Sequence, residues 1–229
     1  MGASDSWARI AAAVPQDERA RREGPFWQAL AHSWRWHTVI DAGCGAGFHL
    51  RLLHRLGVRA VGFDRFAGAL PSVSVAPLVI ADLAHPALHA ATFDAALCLG
   101  NTFSLLPSRA GQGEALAALA ELVKPGGNVI IQGEDAAALV GAAPVARTRA
   151  LPDGRTHLRI FERRGARVRM LTGVVAPAGD VGLEAVTLLP TSAARLVARG
   201  RALGLQQIAF PAQPPAGGAA TWWLALRRG

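Results

Sequence analysis

The 229 residues carry 24 Lys and Arg against 16 Asp and Glu, a formal net charge of +8, and 51% of them are hydrophobic. That excludes a disordered chain and a small scaffold dependent on disulfides or metals, and two cysteines, Cys44 and Cys98, are too few for a disulfide framework or a zinc site. No apolar run reaches the roughly 20 residues of a membrane span and no signal-peptide core is present, so a cytoplasmic protein is expected.

Lys124 is the one lysine, so the positive charge is almost all arginine. It comes in short groups such as Arg19-Arg21-Arg22 and Arg163-Arg164, without a long basic tract. Scattered solvated charge accounts for this better than a nucleic-acid groove.

Taken in order, residues 1–36 read as helical, with Trp7, Ile10 and Val14 on one stripe. A break at Pro15 precedes a second segment from about Asp17 to Trp36. Its aromatics, Phe26, Trp27, Trp34 and Trp36, read as packing anchors, one or two of which can roof a site. From Val39 an apolar run ends in Asp41; glycines follow at 43, 45 and 47; a helical pattern then runs from Phe48 to Leu56 and stops at Gly57. This is a buried strand turning sharply into a helix. Glycines admit positive φ and let a ligand approach the backbone. Such turns hold adenosine-containing cofactors at the carboxyl edge of a parallel sheet, an ordinary βα turn being the plain alternative. A dinucleotide fingerprint would need a glycine where the chain has Phe48.

Arg59–Asp64 is a second short strand ending in an acid. Two vicinal hydroxyls need two acceptor oxygens, which makes Asp64 the ribose candidate, or else a helix cap. Leu78–Leu83 is a third apolar run and contains Asp82. Acids at 41, 64 and 82, each about 20 residues from the next, fit repeated βα units with all carboxylates on one sheet edge.

A fourth strand from Thr92 leads through Cys98 and Leu99 to Gly100-Asn101-Thr102, with Asp94 at its start, away from the ligand edge. A helix over about Ala110–Val123 meets Lys124-Pro125-Gly126-Gly127, a turn feeding a fifth strand at Asn128–Gln132. From Leu151 to Pro190 the pattern alternates, predicting a three-strand meander of 156–161, 167–174 and 184–189. Pro190-Thr191-Ser192 opens a helix to Leu203 with Gly204 as its stop, and 206–210 with 221–226 close as a hairpin around a Pro/Gly loop.

The run Asp41-x-Gly43-x-Gly45-x-Gly47 resembles the first motif of the class I S-adenosylmethionine-dependent methyltransferases. Phe93-Asp94 through Cys98, Gly100-Asn101-Thr102-Phe103 and Leu106 resembles the fourth motif of the glycine N-methyltransferase-like small-molecule group, and Lys-Pro-Gly-Gly is a companion of the same fold. The resemblance extends over essentially the whole chain. It implies a Rossmann-like α/β fold: a seven-stranded mixed sheet in the order 3-2-1-4-5-7-6, helices on both faces, and a small antiparallel insertion after strand 5. One domain over 1–229 is expected, with 1–36 as a helical lid and 151–190 as an acceptor-binding cap.

The implied cofactor is S-adenosylmethionine, leaving as S-adenosylhomocysteine, without a metal. In that reading the glycine loop (Gly43, Cys44, Gly45, Gly47) passes under the methionine half and Asp41 helps hold its ammonium. Asp64 and Arg65 take the ribose, Asp82 faces the adenine amino group, and the Leu83 backbone contacts the ring. Leu99, Gly100 and Asn101 border the sulfonium.

Methyl transfer is an in-line displacement in which the cofactor carries the electrophile. An amine acceptor need only arrive neutral, whereas a hydroxyl usually needs a base or a metal. No Asn/Asp-Pro-Pro-aromatic motif follows the fourth strand, one lysine rules out a Lys-Asp-Lys-Glu tetrad, and no carboxylate cluster suits a catechol-type magnesium site. The reading is therefore a small-molecule methyltransferase, N-methylation ahead of O-methylation, working as a monomer or homodimer without a nucleic-acid or membrane partner.

Two departures matter: the chain has no tyrosine, and Gln132-Gly133-Glu134-Asp135 stands where related enzymes carry Asn-Tyr. Glu134 and Asp135 either hold an acceptor cation or cap a helix. His157 and Arg159 share a face of the meander's first strand, His157 as the available general base and Arg159 for an acceptor carboxylate; Asn101 sits near the transferring methyl. His49 and His54 read as structural. The alternatives are an RNA-directed enzyme, if Arg147, Arg149, Arg163, Arg164 and Arg167 ring one cleft, and a cofactor-binding protein that transfers no methyl group or uses the sulfonium charge for other chemistry, such as a cyclisation.

Overall fold

The computed structural model describes residues 16–141, 143–179, 181–218 and 220–229. The stripe of Trp7, Ile10 and Val14 lies outside the described residues.

Five strands come first: β1 (Thr38–Ala42), β2 (Arg59–Asp64), β3 (Leu78–Ile80), β4 (Phe93–Cys98) and β5 (Val123–Glu134). Then come β6 (Val145–Ala150), β7 (Thr156–Arg164), β8 (Arg167–Val175) and β9 (Val181–Leu188), and last β10 (Leu205–Ile208) and β11 (Thr221–Arg228). The main sheet runs β3-β2-β1-β4-β5-β11-β10, parallel as far as β5, with β11 antiparallel to β5 and β10 antiparallel to β11. This is the expected order, 3-2-1-4-5-7-6, with β11 as the seventh strand lying between β5 and β10.

The central strands are buried on both faces, which is why they read as continuous apolar runs rather than alternating ones. Successive residues still separate by face. Val39, Ala95, Leu97 and Ile130 pack beneath α1 (Gln16–Ser33) and α2 (Phe48–Arg55). Ile40, Ala96, Cys98 and Ile131 pack beneath α3 (Arg109–Leu122) and α4 (Ala193–Arg201). Ser108 and Ser192 cap the last two helices, each accepting from the backbone N–H three residues on. Among the described residues no helix is long and apolar enough to cross a membrane.

Helix α1 runs through Pro25 without a break. An interior proline removes a hydrogen bond and costs about 3 kcal/mol. Burial of Phe26, Trp27 and Leu30 immediately after it offsets that cost. Trp36 is an anchor as expected, buried with its indole N–H donating to Asn128 Oδ1 at 3.0 Å.

Lys124-Pro125-Gly126-Gly127 is a bulge inside β5 rather than a turn before it: the register with β4 jumps from Phe93↔Val123 to Ala95↔Asn128. The bulge brings Lys124 Nζ to 2.6 Å from Asp94 Oδ1, while Asp94 Oδ2 accepts from the backbone N–H of His37 and Thr38. One carboxylate thus ties the starts of β1, β4 and β5 together. Burial alone would raise Asp94, but Lys124 and the two amides overcome it and bring the group from 3.8 to about 2. Its folded value being depressed, the stabilisation is complete above the unfolded value near 4 and fades as pH falls toward 2. Asp94→Asn should therefore be less stable than wild type in urea titrations at neutral pH. The gap should close between about pH 4 and pH 2, and a gap independent of pH would refute the assignment.

The insertion after β5 is a separate sheet in the order β6-β7-β8-β9, antiparallel throughout. It has four strands where three were expected, and begins at Val145 rather than Leu151. Phe161, Val168, Met170 and Leu188 of its inner face form their own apolar cluster with Ala136, Leu139 and Val140.

Candidate active site

The carboxyl edge of the main sheet forms one wall of a cavity of about 380 Å³, within the usual size of a small-molecule site. Of the sequence-predicted residues, Gly43, Gly45, Asp64, Arg65, Asp82, Leu83, Leu99 and Gly100 line it. A second cavity of about 180 Å³ lies on the other side of the glycine turn and is lined by Asp41 and Cys44. Gly43, Ala46, Leu99 and Gly100 border both. Gly47 lines neither; it precedes α2 with φ +72°.

Backbone geometry builds the partition between the two cavities. Gly43 has φ +77°, and a Cβ there would lie 2.8 Å from the Thr102 side chain. The Gly43 and Cys44 N–H groups both donate to Phe63 O at the end of β2. Asp64 holds the loop from the other side, accepting from Gly45 N–H through Oδ2 and from Phe66 N–H through Oδ1. Its carboxylate lines the large cavity with lone pairs to spare. Asp82 accepts from Ala84 N–H and is otherwise exposed beside Leu83.

At the exit of β4, Gly100 and Asn101 both adopt positive φ, 68° and 69°. Gln132 Oε1 accepts from Gly100 N–H, and the Asn101 N–H donates to Gln132 O. Asn101 Oδ1 accepts from both Glu134 N–H and Ser104 Oγ. Asn101 is thus committed to fastening this turn to β5, and it lines neither cavity. Thr102 supplies the hydroxyl on the cavity wall, though that hydroxyl donates to Leu99 O.

His157 and Arg159 likewise border neither cavity. They lie on the inner face of the cap sheet, His157 Nε2 at 3.1 Å from Thr172 Oγ1 and Arg159 at 3.4 Å from Glu134. Burial, then Arg159 and Arg149, push the His157 imidazole below its usual range. Three of the four residues at 132–135 thus have definite jobs: Gln132 holds the Gly100 turn, Glu134 pairs with Arg159, and Asp135 accepts from Ala137 and Ala138 N–H. Cap strand β9 reaches the large cavity itself, through Val186 and Thr187.

Sequence reasoning missed the floor of the small cavity. His49, read in the sequence as structural, lines that cavity. Its ring lies 3.9 Å from Asp41 Oδ2 and 3.6 Å from Glu23 Oε2, and Arg19 pairs with Glu23 at 2.8 Å. One signal was available: a side chain in the first turn of a helix leans back toward the helix start, here over the end of β1. Asp41 is 1% exposed, and its Oδ2 has no hydrogen-bond partner. Burial raises its pKa, His49 and Arg19 oppose the rise, and Asp64 adds to it. Glu23 is also subject to burial, but His49 and Arg19 hold it at about 2. Burial pushes both thiols, Cys44 and Cys98, far above their usual range, so neither serves as a nucleophile near neutral pH.

Residues 40–131 match the family profile described as a methyltransferase domain. A search of curated proteins finds no match. Among solved structures, the CcbJ methyltransferase of Streptomyces caelestis superposes with a TM-score of 0.79 at 20% identity, covering 98% of this chain and 97% of that one. CalS10 of Micromonospora echinaspora, an amino pentose methyltransferase solved with S-adenosylmethionine bound, gives 0.71 at 20% identity, over 97% and 95%. The 1,6-didemethyltoxoflavin-N1-methyltransferase of Burkholderia thailandensis gives 0.58 at 18%, over 97% and 84%.

Proposed function

We propose that the chain, which carries a methyltransferase domain over residues 40–131 and the fold of its solved neighbours, is an S-adenosylmethionine-dependent methyltransferase that transfers the methyl group to a small-molecule acceptor, an amine ahead of a hydroxyl. The observation that carries this is the wall shared between sheet and cap: Asp64 and Asp82 line the large cavity from one side, Val186 and Thr187 of the cap from the other. An acceptor seated under the cap would meet whatever the sheet edge holds. The N1 position named for one structural neighbour supports nitrogen as the acceptor atom, and the amino pentose named for another supports a small amine-bearing acceptor.

The residues present suit the cofactor. Asp41 Oδ2 is a buried acceptor without a partner, matching an ammonium donor. Asp64 suits the paired ribose hydroxyls, and Asp82 with the Leu83 backbone suits the adenine edge. A side chain at Gly100 would project into open space, so its absence leaves room for close approach to the backbone. When bound, the cofactor supplies an activated methyl on sulfur. The chain's own part is to hold donor and acceptor in line and to keep water away.

In this reading the whole chain works as one domain, with α1 belonging to the lid and the β6–β9 sheet to the cap. Arg147, Arg159, Thr172 and Glu184 lie opposite one another across the four cap strands but outside both cavities, so the cap would meet the acceptor through Val186 and Thr187. The RNA alternative loses ground because the arginines it needs are divided: Arg147, Arg149 and Arg163 alternate onto the inner face, Arg164 and Arg167 onto the outer.

The test is calorimetric titration with both cofactor forms, followed by an acceptor screen that reads S-adenosylhomocysteine release from paired amine and hydroxyl analogues. Micromolar cofactor binding and turnover with amines are expected. Turnover with hydroxyls alone would overturn the nitrogen preference, and no binding of either cofactor would overturn the activity.

A further inference from the structure

The inner face of the cap sheet packs on Ala136, Leu139 and Val140, and its outer face is a surface of another kind. Strand alternation turns Ala146, Ile160, Leu171 and Ala185 outward, level with one another across the four strands. The next outward row is Thr148, Leu158, Gly173 and Leu183. Neither row carries a charge. Leu158, Ile160 and Leu171 are half-buried, Leu183 is 37% exposed, and none of the four belongs to the apolar clusters of the main sheet or of the cap's inner face. An antiparallel sheet with one solvated face ordinarily carries polar residues there. Here the outward charges are displaced to the tip of the β7–β8 hairpin, where Glu162 pairs with Arg164 at 2.8 Å and with Arg169 at 3.8 Å.

Four strands about 4.8 Å apart, over some six residues of about 3.3 Å each, make a patch of roughly 400 Å². An apolar patch of that size, rimmed by charge, marks a contact surface. Two such faces bury about 800 Å² before side-chain relief and the charged rim are counted; these bring the pair toward about 1,200 Å², the low end for a specific interface.

The relief of the face is complementary to itself. On β8, Leu171 stands two residues from Gly173, a position without a side chain; on β9, Leu183 stands two residues from Ala185. A two-fold axis lying between two stacked sheets, across the strands and level with Thr172, sets Leu171 of one copy over Gly173 of the other and Leu183 over Ala185. The same axis reverses the strand directions. Each arginine-bearing hairpin tip then lies over the other copy's β6–β7 turn, where Asp153 is paired with Arg155. An axis along the strands would instead stack the two tips and their like charges.

We propose that the outer face of the cap sheet is a homodimer interface, two copies of the chain packing sheet on sheet about this two-fold axis. Thr187, the next outward residue of β9 after Ala185, lines the large cavity, so the interface ends at that cavity's rim.

The experiment is sedimentation velocity of the full chain from about 1 to about 200 μM, the range in which a small interface dissociates. One copy should give way to two as concentration rises, and to nothing larger, because an isologous contact closes. Added sodium sulfate should favour the pair by strengthening apolar burial and screening the tips. Leu183→Lys should stay a single copy throughout and, since Leu183 lines neither cavity, keep the wild-type cofactor affinity. Should it fail to fold, Ala185→Glu carries the same expectation. Leu203→Lys, at an equally exposed leucine just past α4, should pair as wild type does. A wild type that stays single at about 200 μM would overturn the proposal, and a Tm lowered in Leu183→Lys would then assign the face to another part of the same chain. Assemblies beyond two, a pair untouched by both face variants, or equal dissociation in Leu203→Lys would overturn it as well.

Discussion

Asp64→Ala should weaken S-adenosylmethionine binding by roughly 100-fold, the equivalent of losing about 3 kcal/mol of charge-assisted hydrogen bonding to two hydroxyls. The residue lines the large cavity at the end of β2 and also clamps the glycine turn through Gly45 and Phe66 N–H. Two effects are therefore combined, and Asp64→Asn separates them. The amide keeps an acceptor oxygen for the turn but offers a donor where the second hydroxyl needs an acceptor. If the ribose role is right, Asn should recover most of the thermal stability and little of the affinity. Full affinity in Asp64→Asn, measured by calorimetry, would make the residue a turn clamp alone.

The largest stability loss is expected at Trp27→Ala. The ring is 1% exposed in the cluster beneath α1 and packs edge-on against Phe26, Trp223 and His49, with ring centroids 5.1, 6.0 and 5.2 Å away. Removing a buried tryptophan costs about 3–5 kcal/mol, enough to lower Tm by roughly 10 °C in a chain of this size. Trp27 Nε1 has no hydrogen-bond partner, so Trp27→Phe gives up no polar contact and should lose well under half as much. Urea unfolding followed by circular dichroism would measure both. A change below about 1 kcal/mol for the alanine variant would mean that α1 is only loosely docked.

These two residues also mark what the sequence made legible. Asp64 was legible because a short apolar strand, an acid and a following loop occupy a few consecutive positions, and glycines at 43, 45 and 47 locate the turn it faces. The same motifs carried the resemblance that implied the strand order, and a local signal gave the helix cap at Ser192. What failed to show depends on partners distant in sequence. Strand β6 reads Val-Ala-Arg-Thr-Arg-Ala, and its inward positions after Val145 are arginines, so no apolar alternation announced it. Lys124-Pro125-Gly126-Gly127 reads as a turn, and only its alignment with Phe93 and Ala95 reveals a bulge. His49 gains its surroundings from Glu23 and Arg19 on a helix whose own pattern gave no hint of a binding role. For His157 and Arg159 the shared strand face was read correctly, but the distance from that face to the cavity was not contained in the pattern.

The cap keeps its own apolar cluster, distinct from the two that hold the main sheet. One tie between the end of the cap and the main sheet's side is buried Gln112, whose amide donates to both Phe103 O and Leu189 O, together with the Leu189 N–H on Ser104 O. Under natural selection such a division separates two kinds of change. In the proposed function, substitutions where the cap lines the large cavity, at Val186 and Thr187, would alter which molecule is accepted without disturbing the packing under Asp41, Asp64 and Asp82. The Gln112 tie keeps the exchanged surface in register with the sheet edge that carries Asp64 and Asp82. Diversification of acceptors across such a lineage would then leave its record in residues 145–188, over a conserved cofactor half.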